Sequence, residues 1–356
     1  MLAGVCFDDV LLVPQRSDVT SRKDINLSNY LREGEEVLMH FPLPIISSPM
    51  DTVTESDMLT AMSQAGGLGI VHRYNSIAAQ VDLIKAANAH HIGAAIGVTG
   101  DYLDRARAVV NAGARVICID VAHGHHILMK QALKSLRSAL GDSIHLMAGN
   151  VATLQGFNDL ADWGADSVRV GVGGGSICST RIQTGHGIPT LQSVLDCAQS
   201  DRSISIIADG GIRTSGDIVK ALAAGADFVM LGSLLAGTQE SPGDVIVPSG
   251  ETAIVVESSG DGFTYAAQEG LVKKYRGMAS IEAQIDWRGH TSSVEGVSTM
   301  IPYKGSVKDI LQTLETGIRS GFSYSGATSI SKLHAHAKFM KQSYSGAVES
   351  STHIFQ

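Results

Sequence analysis

Eight short, apolar, β-rich runs set the terms for how this chain can fold. They are "LPIISS" (43–48), "GLGIVH" (67–72), "IGAAIGV" (92–98), "RVICID" (115–120), "IHLMAG" (144–149), "DSVRVG" (166–171), "ISIIAD" (204–209) and "DFVMLG" (227–232). Most of the gaps, such as "TESDMLTAMSQAGG" and "SGDIVKALAAGA", carry helical periodicity, so the repeating unit is strand then helix at a spacing of roughly 20–40 residues. Near-continuous apolar strands separated by helices form a parallel sheet whose outer face the helices cover. Eight such units predict an α/β fold, a (β/α)8 or TIM barrel, which takes about 250 residues. The alternative is an open doubly wound sheet, but no G-x-G-x-x-G follows the first strand and opens a helix.

The strand ends carry a second signal. They run into Ser47-Ser48, His72, Gly97, Asp120, Gly149-Asn150, Gly171-Val172-Gly173, Asp209-Gly210-Gly211 and Gly232-Ser233. In a barrel these converge on the C-terminal face, where sites are built. Two segments fall outside the repeat. Residues 24–40, "DINLSNYLREGEEVLMH", are predicted to lead in and cover the barrel's bottom. Residues 240–305 are rich in Gly and Ser and contain a predicted hairpin, "ETAIVVESSGDGFTYAAQ", followed by a stretch about 280–300 expected to be a mobile flap over the mouth. The whole of 1–356 is expected to be one catalytic barrel domain with that hairpin and flap inside it.

With 356 residues, 44% hydrophobic and 17% charged, the chain can bury a large core. A formal net charge of -8 without any basic block leaves no electrostatic footprint for nucleic acid or an anionic membrane. The opening "MLAGVCFDDVLLVPQRSD" lacks the layout of a signal peptide, and no uninterrupted apolar run is long enough to span a bilayer, so a soluble cytoplasmic protein is expected. Cys6, Cys118, Cys178 and Cys197 lie far apart with no C-x-x-C pair, which argues for free thiols.

Barrels frequently bind phosphate with the loops after strands 7 and 8. Here those loops are "ADGGIRTSGD" and "LGSLLAG", where glycines let backbone N–H groups approach an anion and Ser233 adds a hydroxyl. Asp209 would repel phosphate but suits ribose hydroxyls, and together these residues suggest a nucleoside monophosphate. Cys178 sits in "RVGVGGGSICSTRIQTG" after the sixth strand, facing the mouth. Free cysteine is usually buried and inert, which is the reading taken for Cys6, Cys118 and Cys197. On a glycine loop, with N–H dipoles and Arg181 to favour the thiolate, Cys178 is instead read as a nucleophile with the Thr180 hydroxyl beside it. The histidines of "DVAHGHH" (120–126) lack a further ligand at metal spacing and are read as surface or cofactor-facing.

These residues resemble the inosine monophosphate dehydrogenase / guanosine monophosphate reductase family. The motifs, in order, are "FDDVLLVPQRS", "SSPMDTVTE", "GVGGGSICSTRIQTGHGIP", "IADGGIRTSGDI", "MLGSLLAGTQESPG" and "KKYRGMAS". The resemblance implies a barrel, usually a homotetramer, acting at purine C2 through a covalent cysteine adduct. It makes Cys178 the nucleophile and surrounds the nucleotide with Ser48, Met50, Asn150, Ser176, Asp209, Gly211, Gly232, Ser233, Tyr275, Gly277 and Met278. Asp120, Ala122, Gly171 and Gly173 lie where the family places the nicotinamide cofactor. Carbonyls of Gly173, Gly175 and Cys178 match its monovalent cation (K+) site, and "SGAVESSTH" (345–353) resembles the segment a neighbouring subunit adds to it. Gly174 departs from the proline or serine common there.

Direction is read from the flap. The dehydrogenase usually carries a regulatory tandem CBS domain after strand 2; here that insert is absent, a weak argument because some dehydrogenases also lack it. A dehydrogenase flap carries an Arg-Tyr pair whose Arg activates water, then a long stretch before a Glu-Gly. Here Gly289 follows Arg288, and Glu295-Gly296 comes only a few residues later, as in the reductase. "SRKDINLS" and "RIQTGHGIPTLQSVLDCA" also look reductase-like, whereas "SSPMDTVTE", "KKYRGMAS" and the tail look like the dehydrogenase. The leading expectation is GMP reduction with NADPH, Thr180 and Glu295 protonating the departing ammonia. The alternatives are a CBS-less IMP dehydrogenase using NAD, with Arg288 or the Thr180/Glu295 pair activating water; a purine-nucleotide-binding barrel without turnover; and a flavin-dependent barrel oxidoreductase.

Overall fold

Each of the eight apolar runs forms a strand: β1 (Ile45–Ser47), β2 (Leu68–Val71), β3 (Ile92–Ile96), β4 (Val116–Asp120), β5 (His145–Val151), β6 (Ser167–Val170), β7 (Ser205–Asp209) and β8 (Phe228–Leu231). The computed structural model describes residues 4–33, 37–247, 270–291 and 295–350. All neighbouring strands are parallel and in chain order, and β8 pairs with β1 through Leu231 and Ser47, so the sheet is a closed barrel. Closure leaves this sheet no edge.

Alternation along each strand divides the side chains between two layers. Ile46, Ile70, Ala95, Cys118, Met147, Ile207 and Met230 point into the barrel, while Ile45, Val71, Ala94, Ile117, Ala148 and Ala208 face the helices. The helices are α1 (Ser56–Gln64), α2 (Ile77–Ala86), α3 (Tyr102–Asn111), α4 (Ile127–Leu140), α5 (Leu154–Asp162), α6 (Thr190–Cys197), α7 (Ser215–Ala223) and α8 (Val307–Tyr324). Ser76, Thr153, Thr214 and Ser306 start α2, α5, α7 and α8 by accepting a first-turn amide.

The lead-in does cover the bottom. Asn29–Glu33 pairs antiparallel with Val37–Phe41, and Leu31, Met39 and Phe41 enter the lumen cluster, where Phe41 meets Phe228 edge to face at 5.8 Å. A second antiparallel pair, Val10–Leu12 with Phe339–Lys341, joins the two ends of the chain and was not visible in the apolar pattern. Between β8 and α8, the strands Val272–Arg276 and Ser298–Pro302 pair antiparallel and carry a helix, Ile281–Arg288, at their outer end. The hairpin expected at 251–268 lies outside the described residues. Among the described residues no helix is long and apolar enough to cross a membrane.

Candidate active site

A cavity of about 280 Å³ opens at the C-terminal mouth of the barrel. It is lined by Ser48, Met50, Asn150, Ser176, Asp209, Gly211, Gly232, Ser233, Tyr275, Gly277 and Met278 on what the sequence read as the nucleotide side. Asp120, Ala122, Gly171 and Gly173, read as the cofactor side, line it too, as do Gly175, Cys178, Thr180 and Glu295.

The loop after β6 is shaped by glycine. Gly171 has φ +147°, and a Cβ there would run into the Asp209 carbonyl, so the backbones after β6 and β7 lie against each other. The chain then turns back, the Cys178 amide donating to the Gly175 carbonyl at 3.2 Å, and presents a half-buried thiol to the cavity. That thiol donates to Thr180 Oγ1 at 3.2 Å, and Thr180 Oγ1 donates to Glu295 Oε2 at 2.8 Å. Glu295 arrives from the flap. There the Ser179 amide donates to the Glu295 carbonyl and the Val297 amide to the Ile177 carbonyl, both at 3.0 Å, so flap and cysteine loop pair like two strands. Arg181, expected to act on the thiol, does not line the cavity; its guanidinium donates to the Ile188 carbonyl at 2.8 Å and its stem packs on Gly173.

The cavity floor is a run of alternating charges. Asp209 Oδ2 accepts from Asn150 Nδ2 at 2.8 Å and from Arg169 Nη2 at 2.9 Å, and Arg169 Nη1 donates to Asp120 Oδ1 at 2.6 Å. Arg73 Nη2 donates to the Asp120 carbonyl at 3.1 Å. Burial opposes the charge on Arg169, but Cys118, Asp209 and Asp120 around it outweigh that and hold its pKa well above the ordinary arginine value. Reading the chain for strand ends missed Arg169 and Arg73. The one signal for Arg169 was a charge inside the otherwise apolar "DSVRVG".

The roof is the flap. Arg276 grips Asp51 through Nη2 and Nε at 2.6 and 3.0 Å, Met278 Sδ accepts the Asp51 amide at 3.4 Å, and the Tyr275 hydroxyl lies 3.5 Å from Ser176 Oγ. Burial pushes the Tyr275 phenol up, so it stays neutral. Further along, Trp287 packs against Tyr74 at a tilt of 41° with centroids 4.5 Å apart, and the Arg73 guanidinium lies over both rings. In this structure the Trp287–Tyr74 contact holds the stretch read as a flap, and Arg276 and Met278 hold the strand end that leads into it. Arg288 is exposed, lies over the outer Trp287 ring and does not line the cavity.

The remaining thiols, and His125 and His126, have structural surroundings. Burial pushes Cys118 and Cys197 each up to about 12, and Cys6 is also raised by burial. His125 pairs with Asp159 at 2.7 Å and His126 accepts the Leu128 amide as the cap of α4. Among the described residues no group of three His, Cys, Asp or Glu could hold a metal ion.

Residues 4–353 match the model of the IMP dehydrogenase / GMP reductase domain. An inosine-5'-monophosphate dehydrogenase of Nitrosopumilus maritimus is 34% identical over 490 residues, covering 98% of each chain. A GMP reductase of Leishmania major is 31% identical over 498 residues, covering 98% of this chain and 96% of its own. GMP reductase of Trypanosoma brucei, solved in complex with guanosine 5'-monophosphate, superposes with a TM-score of 0.87 at 30% identity over 99% of this chain and 98% of its own. Both sequence alignments far exceed the 356 residues here, so a named reductase carries extra sequence as a named dehydrogenase does, and the missing insert favours neither reaction. Fold, cavity and comparisons agree: the chain belongs to the IMP dehydrogenase / GMP reductase family.

Proposed function

We propose that the protein is a GMP reductase, converting GMP, NADPH and a proton to IMP, ammonia and NADP+. The observation that carries this reading is the hydrogen-bonded chain from Cys178 through Thr180 to Glu295, with Arg288 outside the cavity. The purine would lie with C2 at the Cys178 sulfur. Sulfur adds to C2 as its proton passes to the 2-amino group along Thr180 and Glu295, and ammonia leaves, giving a thioimidate on Cys178. A reductase then needs hydride at C2. NADPH supplies it when bound, after which the C–S bond breaks and the thiolate recovers a proton from the same two residues.

The other roles follow from chemistry. Asp209 has its donors converging on Oδ2, which leaves Oδ1 to accept from a ribose hydroxyl. Gly211, Gly232 and Ser233 offer the phosphate a glycine-lined end, where Gly210 and Gly211 have φ +93° and +78°. Asp120, Ala122, Gly171 and Gly173 line the cavity beside the thiol and fit the nicotinamide end of the cofactor. For K+, uncharged carbonyls are suitable donors, and of the Gly173, Gly175 and Cys178 carbonyls only that of Gly175 accepts a loop amide among the described residues. Assembly as a homotetramer and residence in the cytoplasm belong to the same reading.

The second reading, IMP oxidised to XMP with NAD, is favoured by the dehydrogenases among the relatives, including one of Borreliella burgdorferi at 35% identity. There the Thr180/Glu295 pair would activate water. Absorbance at 340 nm with K+ present separates the two. A fall with GMP and NADPH alone is expected; a rise with IMP and NAD+ alone would overturn the reductase. Cys178→Ala abolishes turnover in either case.

A further inference from the structure

We propose that Arg169 couples the two halves of the cavity, so that a nucleotide held by Asp209 tightens the cofactor site at Asp120. This rests on the roles given above to those two carboxylates. Arg169 comes from β6, Asp209 from β7 and Asp120 from β4, 40 and 49 residues away in sequence. One guanidinium reaches both, through Nη2 to Asp209 and Nη1 to Asp120, and its side chain is only 7% exposed. Arg73 donates to the Asp120 backbone carbonyl, and Asn150 holds Asp209 while also donating to the Gly171 carbonyl at 2.9 Å.

The guanidinium is a planar fork with its donors in fixed relation, so it cannot follow one carboxylate without moving on the other. An empty site leaves Asp209 dependent on Arg169 and Asn150. A ribose hydroxyl donating to Asp209 takes over part of that demand, and the fork settles toward Asp120, fixing the carboxylate that faces the cofactor. Well-packed apolar residues in place of a buried ion pair often give equal or greater stability, so a charged link across the lumen fits a positioning role. Arg169 is accordingly a positioning residue. Lysine would keep the charge and lose the fork.

The test measures binding, in the Cys178→Ala protein, where no adduct forms. Calorimetry gives the dissociation constant of NADP+ with and without saturating GMP, and of NAD+ with and without IMP. Which pair binds reports on the proposed reaction; the ratio of the two cofactor constants reports on the coupling, whichever pair it is. The expected ratio is about 5–150, falling to near one when Arg169→Lys is added, while the nucleotide alone still binds within about tenfold. Asp120→Asn leaves Arg169 and Asp209 in place and is expected to lower the ratio as well, and it decides the matter should Arg169→Lys fail to fold. A ratio of one in the Cys178→Ala protein, or an unchanged ratio in a folded Arg169→Lys or in Asp120→Asn, overturns the proposal.

Discussion

Thr180 carries one hydroxyl between a thiol and a carboxylate, accepting from Cys178 and donating to Glu295. Valine has nearly the same shape without the hydroxyl, so Thr180→Val should lower kcat by about 10²-fold or more through loss of proton transfer. Its thermal midpoint should not move, and steady-state kinetics beside a melting curve check both halves. Gly171→Ala is the opposite case. It should be strongly destabilising, because the added Cβ meets backbone that no rotamer change can relieve, and soluble expression with a denaturation midpoint would show it. Cys178 was legible in the sequence because glycines punctuate its loop. Arg169 was not: its partners are remote in the chain, and an arginine amid valines looks like part of an apolar strand until the barrel closes around it.

Among the elements, the flap is the one whose contacts its own sequence announces least. Its glycines and serines read as mobility; the contacts that position it and the strand leading into it come from elsewhere in the chain: Tyr74 on Trp287, Asp51 on Arg276, and two carbonyls on Lys273. An aromatic pair of this kind is worth about 0.5–1.5 kcal/mol beyond area, so Trp287→Ala should raise KM by roughly 2- to 10-fold as the flap spends more time lifted. Initial rates against nucleotide concentration would show it. Lys273 donates to the Thr238 and Ser241 carbonyls at 3.0 and 2.5 Å while 2% exposed. Burial pushes its pKa down despite Glu240, Asp244 and Asp57 nearby. The unfolded chain therefore keeps this proton to higher pH than the folded protein. Between the depressed value and the ordinary 10.5, stability contributed by this group rises with pH. Melting temperatures across that alkaline window should carry an upward component that Lys273→Met lacks.

At the scale of the whole molecule, the eight strands were legible to within a few residues because each is largely buried on both faces and so reads as mostly apolar sequence. The plug at the bottom was legible as a lead-in covering that end, but its strand pairing was not, since two short strands outside the repeat leave no long apolar run. Phe41 is its largest buried side chain, against Phe228, at the end of the barrel away from Cys178. Phe41→Ala should cost about 3–5 kcal/mol in urea denaturation while leaving turnover per folded molecule unchanged. One joint in the architecture has a consequence for safety. Because the cysteine loop and the flap share a backbone ladder at Ile177–Ser179 and Glu295–Val297, the doorway cannot open without undoing the ladder. Were the flap to lift, Glu295 would go with it, and on the chemistry proposed above Cys178 would lose its proton path as it became reachable. On that proposal access and reactivity are interlocked: the sulfur is disarmed while strangers can enter and armed only once the door has shut behind a guest.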